Sequence, residues 1–345
     1  MTRREIFAAL AAAPAMAPVF GQSYLSSPRR AMTAPELKDA PDEWIARSLA
    51  WADDMLKQHP PALVEHPVRR AALIRLDDIL HIESAPQKKL VQDWYAARLE
   101  RVAEEIASAK VSTGARIWKL YNHGFFIRTA GAAFLYDLVP GPPRIADFAM
   151  KPTTVQKLVD AAEVLFVSHY HDDHANPEVG ELLFASQKPV VGPNDIWRTK
   201  PELRTKLISP ERRPEKWHKT GKFAYIAYPG HQGSNIVNNC HLVKTPEGLS
   251  FLQTGDQSND DDFAWIDEVG LKQNVDVLFP NCWTTDPLRM VRGVKPKVIV
   301  TGHENEMAHT VPHREDWTQT YNRFHGAAAP LVTLAWGEGF DYRQS

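Results

Sequence analysis

Val164-Leu165-Phe166-Val167-Ser168-His169-Tyr170-His171-Asp172-Asp173-His174 decides how this chain reads. Four apolar residues run into three histidines and two aspartates within six positions. That is the pattern of a buried strand delivering a metal site from its C-terminal end. In an extended or tightly turned segment His169 and His171 project to the same side and meet one ion, while Asp173 and His174 follow after a turn and meet a second. Imidazole and carboxylate together suit Zn²⁺ and its first-row neighbours. The bland alternative, solvated loop polars or satisfied histidines, requires three clustered histidines to follow a core strand by accident.

The His-x-His-x-Asp-His run resembles the signature of the metallo-β-lactamase superfamily. That resemblance implies an α/β chain with a four-layer αββα fold, two facing ββα halves, and further ligands each placed just after a strand. Tyr225-Ile226-Ala227-Tyr228-Pro229-Gly230-His231, Leu249-Ser250-Phe251-Leu252-Gln253-Thr254-Gly255-Asp256 and Val298-Ile299-Val300-Thr301-Gly302-His303 supply them in the expected order. By similarity, His169, His171 and His231 would hold one metal, Asp173, His174 and His303 the other, and Asp256 would bridge them. The resemblance spans roughly residues 115 to 310. Within the superfamily, spacing and the compact second half are most similar to the ascorbate-phosphate lactonase branch. An export signal and a helical N-terminal section depart from what a cytosolic sugar-phosphate lactonase needs, so that substrate is not carried over.

Upstream, Thr2-Arg3-Arg4-Glu5-Ile6-Phe7 and an Ala-rich run to Ala17 read as a twin-arginine export signal over residues 1–22. Its apolar part is about a dozen residues, too short for a bilayer span. The expected location is therefore periplasmic or extracellular, without stable membrane insertion. No Cys follows the signal, so a lipid anchor is not expected. The 345 residues are 43% hydrophobic, ample for a large core, and the net charge of −2 carries no bias toward nucleic acid. Cys240 and Cys282 are too few for a disulfide framework; they either pair or stand as buried free thiols.

Residues 23–112 read as a helical extension and 113–345 as the catalytic domain. Ile45, Leu49, Ala52 and Leu56 form one stripe, and Val91, Tyr95, Leu99, Val102 and Ile106 another, with a weaker helical pattern over 66 to 82. The extension is either packing or a lid or dimer surface. From Ala115 the period becomes two, giving short strands at 116–121, 124–129 and 132–137, the last ending in Asp137. A helix over 153–162, capped by Thr153 or Thr154, leads into the central motif. Residues 198–219 carry eight Lys or Arg against three Glu, a solvated face or a patch steering an anionic substrate. Substrate contacts are expected at His123, at His309 and at Arg289, the last in a stretch that also reads as an exposed loop. Glu306, His309 and His313 are spaced for one helical face, although Pro312 argues against a regular helix, and they are placed to orient His303 through its free ring nitrogen.

Two divalent ions, zinc foremost with manganese or iron as alternatives, would share a water and lower its pKa toward neutrality. The expected activity is metal-dependent hydrolysis of a small-molecule ester, lactone, amide or phosphodiester. By the same resemblance Asp256 would serve as bridging ligand, and protonation of the leaving group would fall to Asp173 or to a nearby histidine. β-Lactam cleavage, or an iron enzyme handling oxygen or sulfur species, are the competing readings. Nothing in the sequence speaks to oligomeric state.

Overall fold

Alternating side chains divide each strand of this protein between two cores. The computed structural model describes residues 38–145 and 147–343, so the expected export signal lies outside them. α1 (Asp42–Gln58), α2 (Pro67–Leu80) and α3 (Lys89–Ser108) come first, and the expected stripes of α1 and α3 are buried. In α2, Pro67 occupies the first turn and His66 Nδ1 accepts from Val68 N at 3.2 Å, a cap followed by a residue with no amide hydrogen to lose.

β1 (Ala115–Lys119), β2 (Phe125–Thr129) and β3 (Ala133–Tyr136) form the expected antiparallel meander. α4 (Pro152–Ala161), β4 (Leu165–Phe166), α5 (Pro177–Ala185) and β5 (Val190–Val191) then continue the sheet in parallel. The expected threonine cap of α4 is not made. Pro152 opens that helix and Lys151 precedes it without a side-chain cap bond, because proline's fixed φ starts the first turn ahead of Thr153.

The second half runs α6 (Pro201–Arg204), β6 (His218–Thr220), β7 (Phe223–Gln232), β8 (Ile236–Lys244) and β9 (Ser250–Gln253). It continues with α7 (Phe263–Lys272), β10 (Val277–Phe279), α8 (Pro287–Val294), β11 (Val298–Val300), α9 (Trp317–Arg323), β12 (Leu331–Val332) and β13 (Glu338–Tyr342). One sheet has the order β13-β1-β2-β3-β4-β5 and the other β12-β11-β10-β9-β8-β7-β6. The stretch around Arg289 that also reads as an exposed loop is α8. Asp286 Oδ1 accepts from Arg289 N at 2.9 Å, and Met290, Val291 and Val294 are buried.

Four layers follow from the alternation. Ile117, Phe125, Phe134 and Phe166 of the first sheet meet Tyr225, Val243, Phe251 and Val300 of the second in a shared inner core. Trp118, Phe126, Leu135 and Leu165 face outward onto α1 to α5. Ile226, Leu242, Leu252 and Ile299 face outward onto α7 and α8. The protein is thus an αββα sandwich, the fold class expected for a metallo-β-lactamase-like chain. Cys240 and Cys282 are both buried and free, the Cys240 thiol lying 3.1 Å from the Thr254 carbonyl oxygen. No helix of the described residues is long and apolar enough to cross a membrane.

Candidate metal centre

The candidate ligands sit where strands of both sheets end. Val167 finishes the run out of β4, and the next residue is pinned: Asp137 accepts from Ser168 N at 2.7 Å and from Ser168 Oγ at 2.8 Å. The same carboxylate takes His174 Nδ1 at 2.9 Å and Gln253 Nε2 at 2.8 Å. Asp137, fully buried with φ +40°, is therefore a hub that fixes the motif's turn and the tautomer of His174. The turn itself is closed by His174 N and Ala175 N on the His171 carbonyl, each at 2.9 Å. His169 Nε2 and His171 Nδ1 face each other at 3.0 Å.

Asp256 reaches the motif because Gly255 precedes it. Gly255 has φ +52°, and a Cβ there would stand 2.2 Å from Asn238 Oδ1 and 2.5 Å from Ser168 Cβ. Asp256 Oδ1 lies 3.3 Å from His174 Nε2 and 3.5 Å from His303 Nε2, while its Oδ2 lies 3.5 Å from His169 Nε2. Asp173 Oδ2 is 3.4 Å from His174 Nε2 and 3.5 Å from His303 Nε2. His303 follows Gly302, whose Cβ would meet His123 Cδ2 at 2.2 Å. It adopts φ +74°, with Asn122 at +52° and Asn305 at +60° nearby in sequence or space. Non-glycine residues in this region cluster where function imposes geometry. Asn122 ties the two sides together: its carbonyl accepts from His303 N at 3.1 Å and its Nδ2 donates to Asp173 Oδ2 at 2.9 Å.

Ligands sharing one tetrahedral ion at bond lengths near 2.05 Å stand about 3.3 Å apart. The contacts of 3.0 to 3.5 Å among His169, His171, Asp173, His174, Asp256 and His303 match that spacing. Asp256 Oδ1 is buried and makes no hydrogen bond among the described residues, so the donor set fits a cation. Among the described residues, the close donor groups are His169–His174–Asp256, Asp173–His174–His303 and His123–Asp137–His174. Asp137 in the last is already saturated by its hydrogen bonds. His174 belongs to both other groups, whereas the resemblance assigns it to one ion only. His231 stands outside all three. It is half-buried, and its Nδ1 lies 2.7 Å from Asp262 Oδ1 while Asp262 Oδ2 accepts from its backbone amide at 2.8 Å. That leaves Nε2 as its free nitrogen.

The ion-free electrostatics are those of a charge-paired cluster. Burial works against the charge on Asp256, yet His174, His303 and His169 hold its carboxyl well below the usual range. Burial is likewise overcome at His174 and His303, whose pKa values are raised well above normal, chiefly by Asp256 and Asp173. His169 is lowered well below normal by burial and by its neighbour His174.

The three residues expected to meet substrate lie in different settings. His123 is fully buried, its Nε2 3.2 Å from the Phe279 carbonyl oxygen, and its ring lies edge-on beneath His174 at 6.1 Å. Arg289 lies on the outer surface of α8, paired with Asp267 at 2.6 Å and stacked 4.3 Å from the Phe263 ring. His309 is exposed beside the centre, its ring 5.8 Å from that of His303, with Nδ1 donating to the His313 carbonyl at 3.1 Å. Glu306, His309 and His313 do not share a helix: Pro312 leaves only a 3₁₀ turn over Val311–His313. Nor do they orient His303, whose buried Nδ1 makes no hydrogen bond among the described residues. Instead Glu306 accepts from Ala308 N at 2.9 Å, and burial together with nearby Asp173 pushes its pKa up to about 8.

Asn122, Asp262 and Gln232, whose Nε2 donates to Asp256 Oδ2 at 3.1 Å, escaped the sequence reading. Only the Tyr121-Asn122-His123-Gly124 turn carried a signal, an asparagine suited to positive φ. Trp283 also borders the centre, edge-on to His303 at 5.6 Å.

No protein-family model and no curated protein matches the chain. Solved structures do. A novel metallo hydrolase from the hyperthermophilic archaeon Ignicoccus hospitalis KIN4/I aligns with TM-score 0.53 and 16% identity, over 68% of this chain and 100% of that one. A possible metal-dependent hydrolase from Veillonella parvula DSM 2008 aligns with TM-score 0.50 and 14% identity, over 67% and 100%. A metallo-beta-lactamase fold protein from Bacillus subtilis aligns at TM-score 0.47 and 15% identity, over 66% and 99%. This chain therefore shares the fold of the Ignicoccus hospitalis and Veillonella parvula proteins and carries additional residues besides.

Proposed function

We propose that this protein is a binuclear metal-dependent hydrolase of a small-molecule ester, lactone, amide or phosphodiester. The observation that carries the reading is Asp256 Oδ1, buried and without a hydrogen bond among the described residues, between His174 Nε2 at 3.3 Å and His303 Nε2 at 3.5 Å. His169, His171, Asp173, His174, Asp256 and His303 would hold a pair of divalent ions, zinc foremost, which would supply an activated water and polarise the substrate oxygen. The chain's own residues do the rest. Asp137 and Asp262 hold the Nδ1 atoms of His174 and His231, which leaves Nε2 of each as the nitrogen open to an ion. Asn122 holds Asp173 in place, and His309 commits Nδ1 to the His313 carbonyl with its ring 5.8 Å from that of His303.

The test is a panel of lactones, esters, phosphodiesters and β-lactams presented to the metal-reconstituted protein, with lactones first because of the lactonase-like spacing. His171→Ala and Asp256→Ala are expected to abolish whatever turnover is found. Unchanged turnover in both would overturn the mechanism. Metal analysis that returns iron with a visible absorption band would redirect the reading to oxygen or sulfur chemistry.

The Arg3-Arg4 pair and the short apolar run behind it support export by the twin-arginine route. Cell fractionation checks this: the processed protein is expected outside the cytoplasm, and full-length protein confined to the cytoplasm would refute it.

A further inference from the structure

We propose that Asp77, on α2 of the N-terminal helical layer, is a positioning residue for His303, so that this layer belongs to the metal centre as well as to the packing. The inference rests on His303 being an ion ligand. His303 and Asn305 both have left-handed backbones, at φ +74° and +60°. Such conformations persist only where the surroundings hold them. Upstream the hold comes from the β1–β2 turn, through Asn122 O on His303 N and through His123 packed against Gly302. Between them Glu304 is buried against Lys119 and accepts from Thr320 Oγ1 at 3.1 Å.

Downstream the hold comes from α2. Asp77 Oδ1 accepts from Asn305 Nδ2 at 3.0 Å and from Trp317 N at 3.1 Å, and Oδ2 accepts from Thr318 N at 3.3 Å. One fully buried carboxylate thus clasps both ends of the segment that leaves His303 and enters α9. The end of α2 repeats the attachment: His81 Nε2 donates to the Arg314 carbonyl at 2.6 Å, and Arg314 Nη1 donates to the carbonyls of Leu80 at 2.8 Å and Ile82 at 3.2 Å. Without Asp77, Asn305 keeps, among the described residues, its backbone bond to Glu315 O at 2.7 Å, and the turn that aims His303 Nε2 at Asp173 and Asp256 loses its lower clamp.

The test is chelator competition for zinc, without substrate, on the full chain and on Asp77→Asn and Asn305→Gly. The glycine variant keeps the left-handed backbone and deletes only the amide that Asp77 receives, so it reports even if Asp77→Asn folds poorly. Both variants are expected to release one zinc equivalent about 10- to 100-fold more readily, the range for residues that orient a ligand. Cobalt substitution should show the same equivalent perturbed in its visible spectrum. Zinc held equally by parent and Asn305→Gly, with only the melting temperature lowered, overturns the inference alone. A parent chain that binds no zinc overturns the metal reading and this inference together.

Discussion

Single side chains in this site are constrained as much by what precedes them as by what they are. Gly302 is the sharpest case, because a methyl group there would stand 2.2 Å from His123 Cδ2, and His123 is itself fully buried under His174. Gly302→Ala is expected to destabilise the fold by about 2 kcal/mol through overpacking and to shift His303. Denaturant unfolding measures the first and zinc affinity the second; a variant that matches the parent in both would show that the His123 ring yields freely. The candidate ligands could be picked out in the sequence because they crowd into one run or follow a glycine at a strand end. Asn122, Gln232 and Asp262 could not. Each is one polar residue among many, and only the fold brings Asp262 to His231 or Asn122 to Asp173.

Elements were legible where a periodic stripe was long enough to count. α1 and α3 bury the expected residues, and the meander β1 to β3 appears within a residue or two of its expected bounds. α8 was harder to see: eight residues with two arginines and a glycine give few turns to test, although Asp286-Pro287 is a cap followed by a first-turn proline. α2 carries a pH-sensitive group of its own. Asp78 is buried beside Arg75, and burial pushes its carboxyl up to about 7 despite that partner at 3.4 Å. A carboxyl raised on folding binds its proton more tightly in the native state, so its contribution is present at acid pH and is lost as pH rises through about 7. Asp78→Asn removes that dependence. The melting temperature of the variant relative to the parent is expected to rise from about pH 4, where the unfolded carboxyl ionises, to about pH 7, where the native one does, and to level off above that. A constant difference across the series would mean that Arg75 keeps Asp78 ionised throughout.

At the scale of the whole molecule, two sheets, three cores and the helical layer converge on one edge where the strands end. The alternation of apolar residues made the sandwich readable, since Phe125 and Phe126 must face opposite ways and each found a separate core. What could not be read was the closure. β13 pairs antiparallel with β1 across the whole chain, Ala115 against Tyr342 and Lys119 against Glu338, and nothing local in either stretch announces the other. A chain ending before Glu338 is expected to expose β1 along its outer rim and to self-associate, which light scattering of the truncated protein would detect. A truncated chain that stays monodisperse would show that α3 covers the rim unaided.

That late closure also orders events during synthesis. β1 leaves the ribosome more than two hundred residues before the strand that seals it, and pairings so distant form slowly. Until β13 arrives, the first sheet is a template open to any passing strand, so β13 acts as the latch that turns a sticky nascent chain into a closed one.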